Sequence, residues 1–274
     1  MIPAMPAALH VVSAGNGPLL LFIHGSAADH ATWTIQLNSP LRERFTLVAY
    51  DRRGSGKSAS PERFWTIEDH ADDAAELLTS LQAPAAPRPI VVGSSFGSVV
   101  ALDLARRFGS LLGGLVLIEP PMAASDLVPP IPLGFLQHYD ELAATQGGPQ
   151  AAEFFLRTVL GDAAYEKMPR MFQERSKSQY AAIRTDSEAL GRYRPRYELL
   201  RGCMVPTLLL GGERSAPYFR PTLQALAAVL PDAELVVVPS AGHMLHAEAS
   251  RKFSDLVTAF AAGLAAHPRT GVIR

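Results

Sequence analysis

The sequence predicts an α/β protein built on a mostly parallel sheet with helices on both faces, and three observations carry that expectation. Short apolar runs of strand type recur along the chain, helical patterns lie between them, and one run passes directly into a helix through Gly93-Ser94-Ser95-Phe96-Gly97. Runs that are apolar at every position suit strands buried on both faces, and a strand, helix, strand repeat lays successive strands parallel.

In chain order the strand candidates are LLLFI (Leu19 to Ile23), TLVAY (Thr46 to Tyr50), IVV (Ile90 to Val92), LVLI (Leu115 to Ile118), TLLL (Thr207 to Leu210) and LVVV (Leu235 to Val238). Helices are expected over Ile67 to Leu81, Phe96 to Phe108, Arg220 to Leu230 and Arg251 to Ala265, where apolar residues recur three and four apart. The alternation fails between Glu119 and Gly202. There a proline-rich stretch, PPMAASDLVPPIP, precedes helical patterns over Gly134 to Thr145, Gln150 to Leu160 and Met168 to Arg184, an insertion into the sheet. Its aromatic residues, among them Phe135, Tyr139, Phe154 and Phe155, offer surface to line a substrate pocket or to form a core of their own.

Composition narrows the function classes. With 274 residues, 48% hydrophobic and 19% charged, the chain is too apolar to be disordered throughout. Lys and Arg number 25 against 26 Asp and Glu, so a formal charge of −1 supplies no general attraction to nucleic acid or anionic membrane. The single Cys203 cannot form an internal disulfide, which fits a reducing compartment. No Lys or Arg precedes the apolar residues of MIPAMPAALHVV, and no apolar run approaches the roughly 18 to 20 residues that span a bilayer. A cytoplasmic protein without nucleic-acid or membrane partners is expected.

The G-x-S-x-G motif, Gly93 to Gly97, carries the chemistry. Between a strand and a helix it demands a sharp turn that holds Ser95 in strained geometry, with glycines two residues away on each side because side chains there would collide. Ser95 is thereby the exposed hydroxyl. Phe96 opens the helix, so its backbone N–H and the positive end of the helix dipole face a developing oxyanion.

From these residues the chain resembles the α/β-hydrolase family over nearly its whole length. The resemblance implies the α/β-hydrolase fold: a mostly parallel eight-stranded sheet flanked by helices, with a helical cap inserted after strand 6. The core would then occupy residues 1–119 and 203–274 and the cap residues 120–202. His24-Gly25-Ser26 is similar to the family's HG-x loop, which implies that the Ser26 amide is the second oxyanion donor beside Phe96. Pro239-Ser240-Ala241-Gly242-His243 resembles the loop that carries the family's catalytic histidine, which makes His243 the base. The acid departs from the common pattern. In Gly211-Gly212-Glu213-Arg214-Ser215, Ser215 stands where the family's G-x-x-D pattern has Asp, whereas some relatives, including one subgroup of haloalkane dehalogenases, carry the acid one strand earlier. That points to Glu119, with Glu213 as the alternative. The order Ser95, Glu119, His243 agrees with nucleophile, acid, histidine.

Several signals point elsewhere. Asp51 to Ser58, DRRGSGKS, ends like a phosphate loop but has Asp51 where the first glycine belongs, and it resembles the family's D-x-R-G-x-G-x-S turn. His243 and His246 form H-x-x-H without a third clustered ligand, so no metal and no cofactor are expected. Arg192, Arg194 and Arg196 form a solvated edge or a contact for an anionic carrier protein. The resulting expectation is a serine esterase-type hydrolase that cleaves a carboxylic ester, lactone or thioester of a small apolar acyl substrate. Its catalytic residues are Ser95, His243 and Glu119, its oxyanion donors Ser26 and Phe96, and its pocket is lined by His24, Phe135, Tyr139, Phe154 and Phe155. An assembly-line thioesterase or acyltransferase, a C–C bond hydrolase with the same triad, and a low-turnover ligand-binding receptor stay open as alternatives.

Overall fold

The computed structural model describes residues 9–58, 64–83, 85–125 and 134–266 of the chain. Its elements are β1 (Val11–Ala14), β2 (Leu19–Ile23), α1 (Thr34–Leu37), β3 (Thr46–Tyr50), α2 (Ile67–Leu81), β4 (Ile90–Ser94), α3 (Phe96–Phe108) and β5 (Gly114–Ile118). The insertion follows, with α4 (Phe135–Thr145), α5 (Gly148–Leu160), α6 (Asp162–Lys167), α7 (Arg170–Lys177), α8 (Tyr180–Arg192) and α9 (Tyr197–Leu200). The chain then returns to the sheet through β6 (Thr207–Gly212), α10 (Phe219–Val229), β7 (Ala233–Val238), α11 (Leu245–Glu248) and α12 (Ser250–Ala266).

The strands form one sheet in the order β1-β3-β2-β4-β5-β6-β7. Among the described residues only β1 is antiparallel to its neighbour; the others pair in parallel, with Ser94 opposite Ile118 and Ile118 opposite Leu210. This register brings the C-terminal ends of β4, β5 and β6 to one rim. Alternate side chains divide the core between two faces: Leu21, Ile23 and Val91 pack with α2 and α3, while Leu20, Phe22 and Val92 pack with Phe253 and Val257 of α12. α2 begins at a capping box in which Thr66 accepts from the Asp69 amide and Asp69 accepts from the Thr66 amide, as its Thr-x-x-Asp start favours.

Three expectations need correction. Seven strands, not eight, lie among the described residues, and the helical insertion follows the fifth of them, not the sixth. The antiparallel edge strand β1, four residues VVSA and only partly buried, is the one strand the apolar runs leave out, and it brings the six runs to seven strands. The single helix expected over Met168 to Arg184 is two, because Ser178 closes α7 by donating to the Arg175 carbonyl, and α8 then runs on to Arg192. Part of the proline-rich stretch, residues 126–133, lies outside the described residues. The insertion has a core of its own, formed by Tyr139, Ala151, Ala152, Leu156, Tyr165 and Ile183. Among the described residues no helix is long and apolar enough to cross a membrane.

Candidate active site

Ser95 sits between β4 and α3 with φ 53° and ψ −123°, a conformation disfavoured for any residue with a Cβ. The turn is held from below: the Ser95 N–H donates to the Ile118 carbonyl at 2.8 Å, and Ser98 Oγ donates to the Gly93 carbonyl at 2.7 Å while accepting from the Ile118 N–H at 2.9 Å. The motif glycines are there for want of room. A Cβ on Gly93 would lie 2.4 Å from the Gly97 carbonyl oxygen, and one on Gly97 would lie 2.3 Å from that of Ile23. Gly25 approaches from β2, where a Cβ would stand 3.0 Å from Ser95 Cβ and 3.7 Å from its Oγ. The His24-Gly25-Ser26 loop therefore lies directly against the strained serine.

Glu119 follows β5 and also has positive φ, 45°, which turns its side chain along the rim. Its N–H donates to the Leu210 carbonyl (3.2 Å), and its Oε1 accepts from the Gly212 N–H (2.7 Å). Its Oε2 lies 2.6 Å from His243 Nδ1, with the carboxylate 1% and the imidazole 5% exposed. A carboxylate on Nδ1 fixes that nitrogen as the N–H and leaves Nε2 free to accept a proton. Phe219, the first residue of α10, stacks on the imidazole at 4.4 Å and 11°. Nothing in the sequence marks Phe219 except its place at the start of the helix after β6. Glu213 faces elsewhere: its Oε2 accepts from the Ser240 N–H at 2.8 Å. Of the two carboxylates, the structure brings Glu119 to His243.

His24, expected to line the pocket, does not. It is wholly buried, its Nδ1 donates to the Gly25 carbonyl (2.8 Å), and its Nε2 accepts from the Arg52 N–H (3.0 Å), so it braces the loop from beneath. Burial, and then the charge of Arg52, lower its pKa to about 3. Tyr139 is a second correction, 1% exposed in the insertion's core with its hydroxyl donating to the Tyr180 carbonyl. Phe135 stacks on Phe154 at 5.3 Å, and Phe154 and Phe155 pack against that same core. A cavity of about 490 Å³ lies on the α10 side of the rim, lined by Glu119, Gly212, Ser215, Phe219 and Val237, and none of the aromatics named from sequence lines it.

The Asp51 to Ser58 turn closes around a carboxylate rather than a phosphate. Asp51 accepts from the amides of His30 (2.7 Å) and Lys57 (2.8 Å), and a Cβ on Gly56 would strike its Oδ2. Burial opposes ionisation of Asp51, yet these N–H bonds hold its pKa below the ordinary carboxylate value. His10, His30 and Asp51 place ligand-type atoms within 4.8 Å of one another, but the Asp51 oxygen nearest the histidines already takes the His30 amide and His30 Nδ1. His246 packs on Trp33 at 4.6 Å, and its Nε2 lies 3.4 Å from the Thr32 hydroxyl. Arg192 pairs with Glu188 and covers Phe64, and Arg194 donates to the carbonyls of Gly191 and Tyr193.

Comparison with known proteins agrees with this architecture. Residues 20–256 match the alpha/beta hydrolase family. A 2-(acetamidomethylene)succinate hydrolase of Mesorhizobium japonicum is 29% identical over 252 residues, covering 87% of this chain and 86% of the relative. A thermophilic esterase from Thermogutta terrifontis, solved with malate bound, superposes with a TM-score of 0.78 at 22% identity over 93% of each chain. A solved E-2-(acetamidomethylene)succinate hydrolase gives a TM-score of 0.68 at 26% identity, covering 93% of this chain and 95% of that one.

Proposed function

The chain belongs to the alpha/beta hydrolase family, and from that membership and the rim geometry we propose that it is a serine hydrolase acting on a carboxylic ester, lactone or thioester through an acyl-enzyme. The observation that carries this reading is the buried Glu119–His243 hydrogen bond on the same rim as a serine strained into a strand-to-helix turn. Ser95 Oγ attacks the substrate carbonyl as its proton passes to His243 Nε2. Glu119 stabilises the resulting imidazolium through Nδ1 without itself becoming protonated. The amides of Ser26 and Phe96 receive the oxyanion, each such donor being worth about 10²- to 10³-fold in rate. Collapse expels the alcohol or thiol, which takes the proton from His243. Water, deprotonated by the same imidazole, then attacks the acyl-enzyme, and the second tetrahedral intermediate releases the acid and restores Ser95. The inserted helices act as the cap over this rim.

A second reading has one specific support. The Mesorhizobium relative, covered over most of its length, is named a hydrolase of 2-(acetamidomethylene)succinate, so the same constellation here would act on an acylamino-substituted carboxylate rather than a simple ester.

Intact mass after exposure to a fluorophosphonate tests the first step common to both. One adduct is expected on the wild type and none on Ser95→Ala; an unmodified, folded wild type would overturn the assignment. Parallel turnover assays on p-nitrophenyl esters, γ-lactones, acyl thioesters and N-acylated dicarboxylates then separate the two readings.

A further inference from the structure

Arg52 stands at the unspecified second position of the D-x-R-G-x-G-x-S pattern, yet its guanidinium is buried, 1% exposed. It holds Asp186 of α8 in a two-pronged pair, Nη1 to Oδ1 at 3.0 Å and Nη2 to Oδ2 at 2.7 Å. The same guanidinium donates to the backbone of the loop beside Ser95, from Nε to the His24 carbonyl and from Nη2 to that of Gly25, both at 3.2 Å. Its face covers the Phe96 ring at 4.3 Å. Asp186 also takes the Ser26 hydroxyl on Oδ2 at 2.8 Å. One carboxylate from the insertion thus reaches the residues of both oxyanion donors, Ser26 directly and Phe96 through Arg52.

Two neighbouring contacts point the same way. Ala27, in the left-handed region with φ 58°, packs into the insertion's own core, and Asp29 takes Arg175 of α7 at 2.6 Å. Between Ser26 and Asp29 the loop is therefore tied to the inserted helices by a hydrogen bond, an apolar contact and an ion pair in succession. The Ser26 tie reaches an element 160 residues away in sequence.

We propose that Asp186 is a positioning residue: through the Ser26 hydroxyl and Arg52 it sets the direction of the Ser26 amide, so that the oxyanion donors are aligned only when the inserted helices are seated on the sheet. This rests on the serine-hydrolase reading. Asp186 touches no reacting atom and acts through the loop.

Ser26→Ala tests it with the least disturbance, since it removes the hydroxyl tether and keeps both the amide and the buried ion pair. With p-nitrophenyl butyrate as probe, kcat is expected to fall about tenfold while KM stays within about twofold, the signature of an interaction made in the transition state. The rate of fluorophosphonate labelling should fall by the same factor, and Ser26→Thr, which restores the hydroxyl, should recover most of both. Asp186→Asn keeps an acceptor for Ser26 but loses the charge facing Arg52; if it fails to fold, the Ser26 pair decides alone. Wild-type kcat and labelling in Ser26→Ala would overturn the proposal and leave the hydrolase reading intact. Absence of any Ser95 adduct on the wild type would instead remove that reading and this inference with it.

Discussion

The sheet rim and the helical insertion meet at Ser26, Asp29 and Arg52 but are built by different means. The rim is fixed by backbone: Ser95 and Glu119 both hold positive φ, and Gly93, Gly97 and Gly212 stand where a Cβ would meet carbonyl oxygens at 2.3 to 2.6 Å. The insertion is fixed by side chains, through the Arg52–Asp186 and Arg175–Asp29 pairs and a cluster of its own apolar and aromatic residues. Backbone constraint of this kind comes with the close packing of strand ends and loops and is held all at once when the sheet has formed. Side-chain ties between distant segments can be lost singly, so the two regions should respond to substitution in different ways: the rim in chemistry or in global stability, the insertion in graded steps.

The sharpest separation should come from the acid. Glu119→Gln keeps the hydrogen-bonding shape around Gly212 but no longer holds His243 in the required tautomer, and turnover should drop by about 10⁴-fold. Glu213→Gln, whose side chain serves the Ser240 amide on the surface, should change turnover by less than about twofold. Steady-state kinetics on the two variants checks this, and a reversed ranking would move the acid to the β6 loop. Gly97→Ala attacks the same rim through space alone. Its methyl group would press on the Ile23 and His24 carbonyls at 2.3 and 2.6 Å, so a loss of about 3 kcal/mol in urea unfolding is expected. A loss below about 1 kcal/mol would show that the first turn of α3 can shift away from β2.

This division also explains what could be read from the sequence. The strand-to-helix turn at Ser95, the Gly-His loop at His243 and the six apolar strand runs are local patterns, and each sits where its residues place it. Glu119 was readable because Ser215 occupies the slot where an acid is usual and a carboxylate ends the preceding strand. The β1 edge strand was not, being four residues long and half exposed. Nor were Phe219 on the imidazole and the Arg52–Asp186 tie, since stacking and ion pairing across 24 and 134 residues leave no periodicity to detect. The aromatic residues of the insertion misled for a physical reason: aromatic surface serves a pocket or a small core equally well, and Tyr139 went to the core.

Buried histidines give the rim side of the molecule a pH response of its own. His24, His70 and His246 all have their pKa lowered by burial, His246 to about 3 from 6.5. Well above pH 6.5 they carry almost no proton in either state. Below the unfolded value of about 6.5 the unfolded chain binds protons that the folded chain refuses, so stability falls as pH drops, by about 1.4 kcal/mol per pH unit for each histidine until its folded pKa is reached. His246→Phe keeps a ring against Trp33 and Phe253 and should flatten that slope by one histidine's share between pH 6 and 5. An unchanged slope in urea titrations would place the proton uptake elsewhere.

The smallest effect expected is the most informative about the insertion. Arg175 is 44% exposed where it meets Asp29, itself 4% exposed, and because water can take the place of so open a guanidinium while Asp29 keeps the Ala31 amide, the pair stabilises by about 1 kcal/mol after screening. Arg52 and Asp186 are 1% and 4% exposed, and deleting one partner of a buried pair strands a charge at a cost of about 3 to 5 kcal/mol. Arg175→Ala should therefore shift the unfolding midpoint slightly, and less so as salt is raised, whereas Asp186→Ala should destabilise several times more and show little dependence on salt. Equal losses from the two variants would mean that solvent reaches Arg52 when the insertion moves. The insertion would then open readily over Ser95, and the contrast between a fixed rim and a side-chain-tied cover would become a contrast in motion.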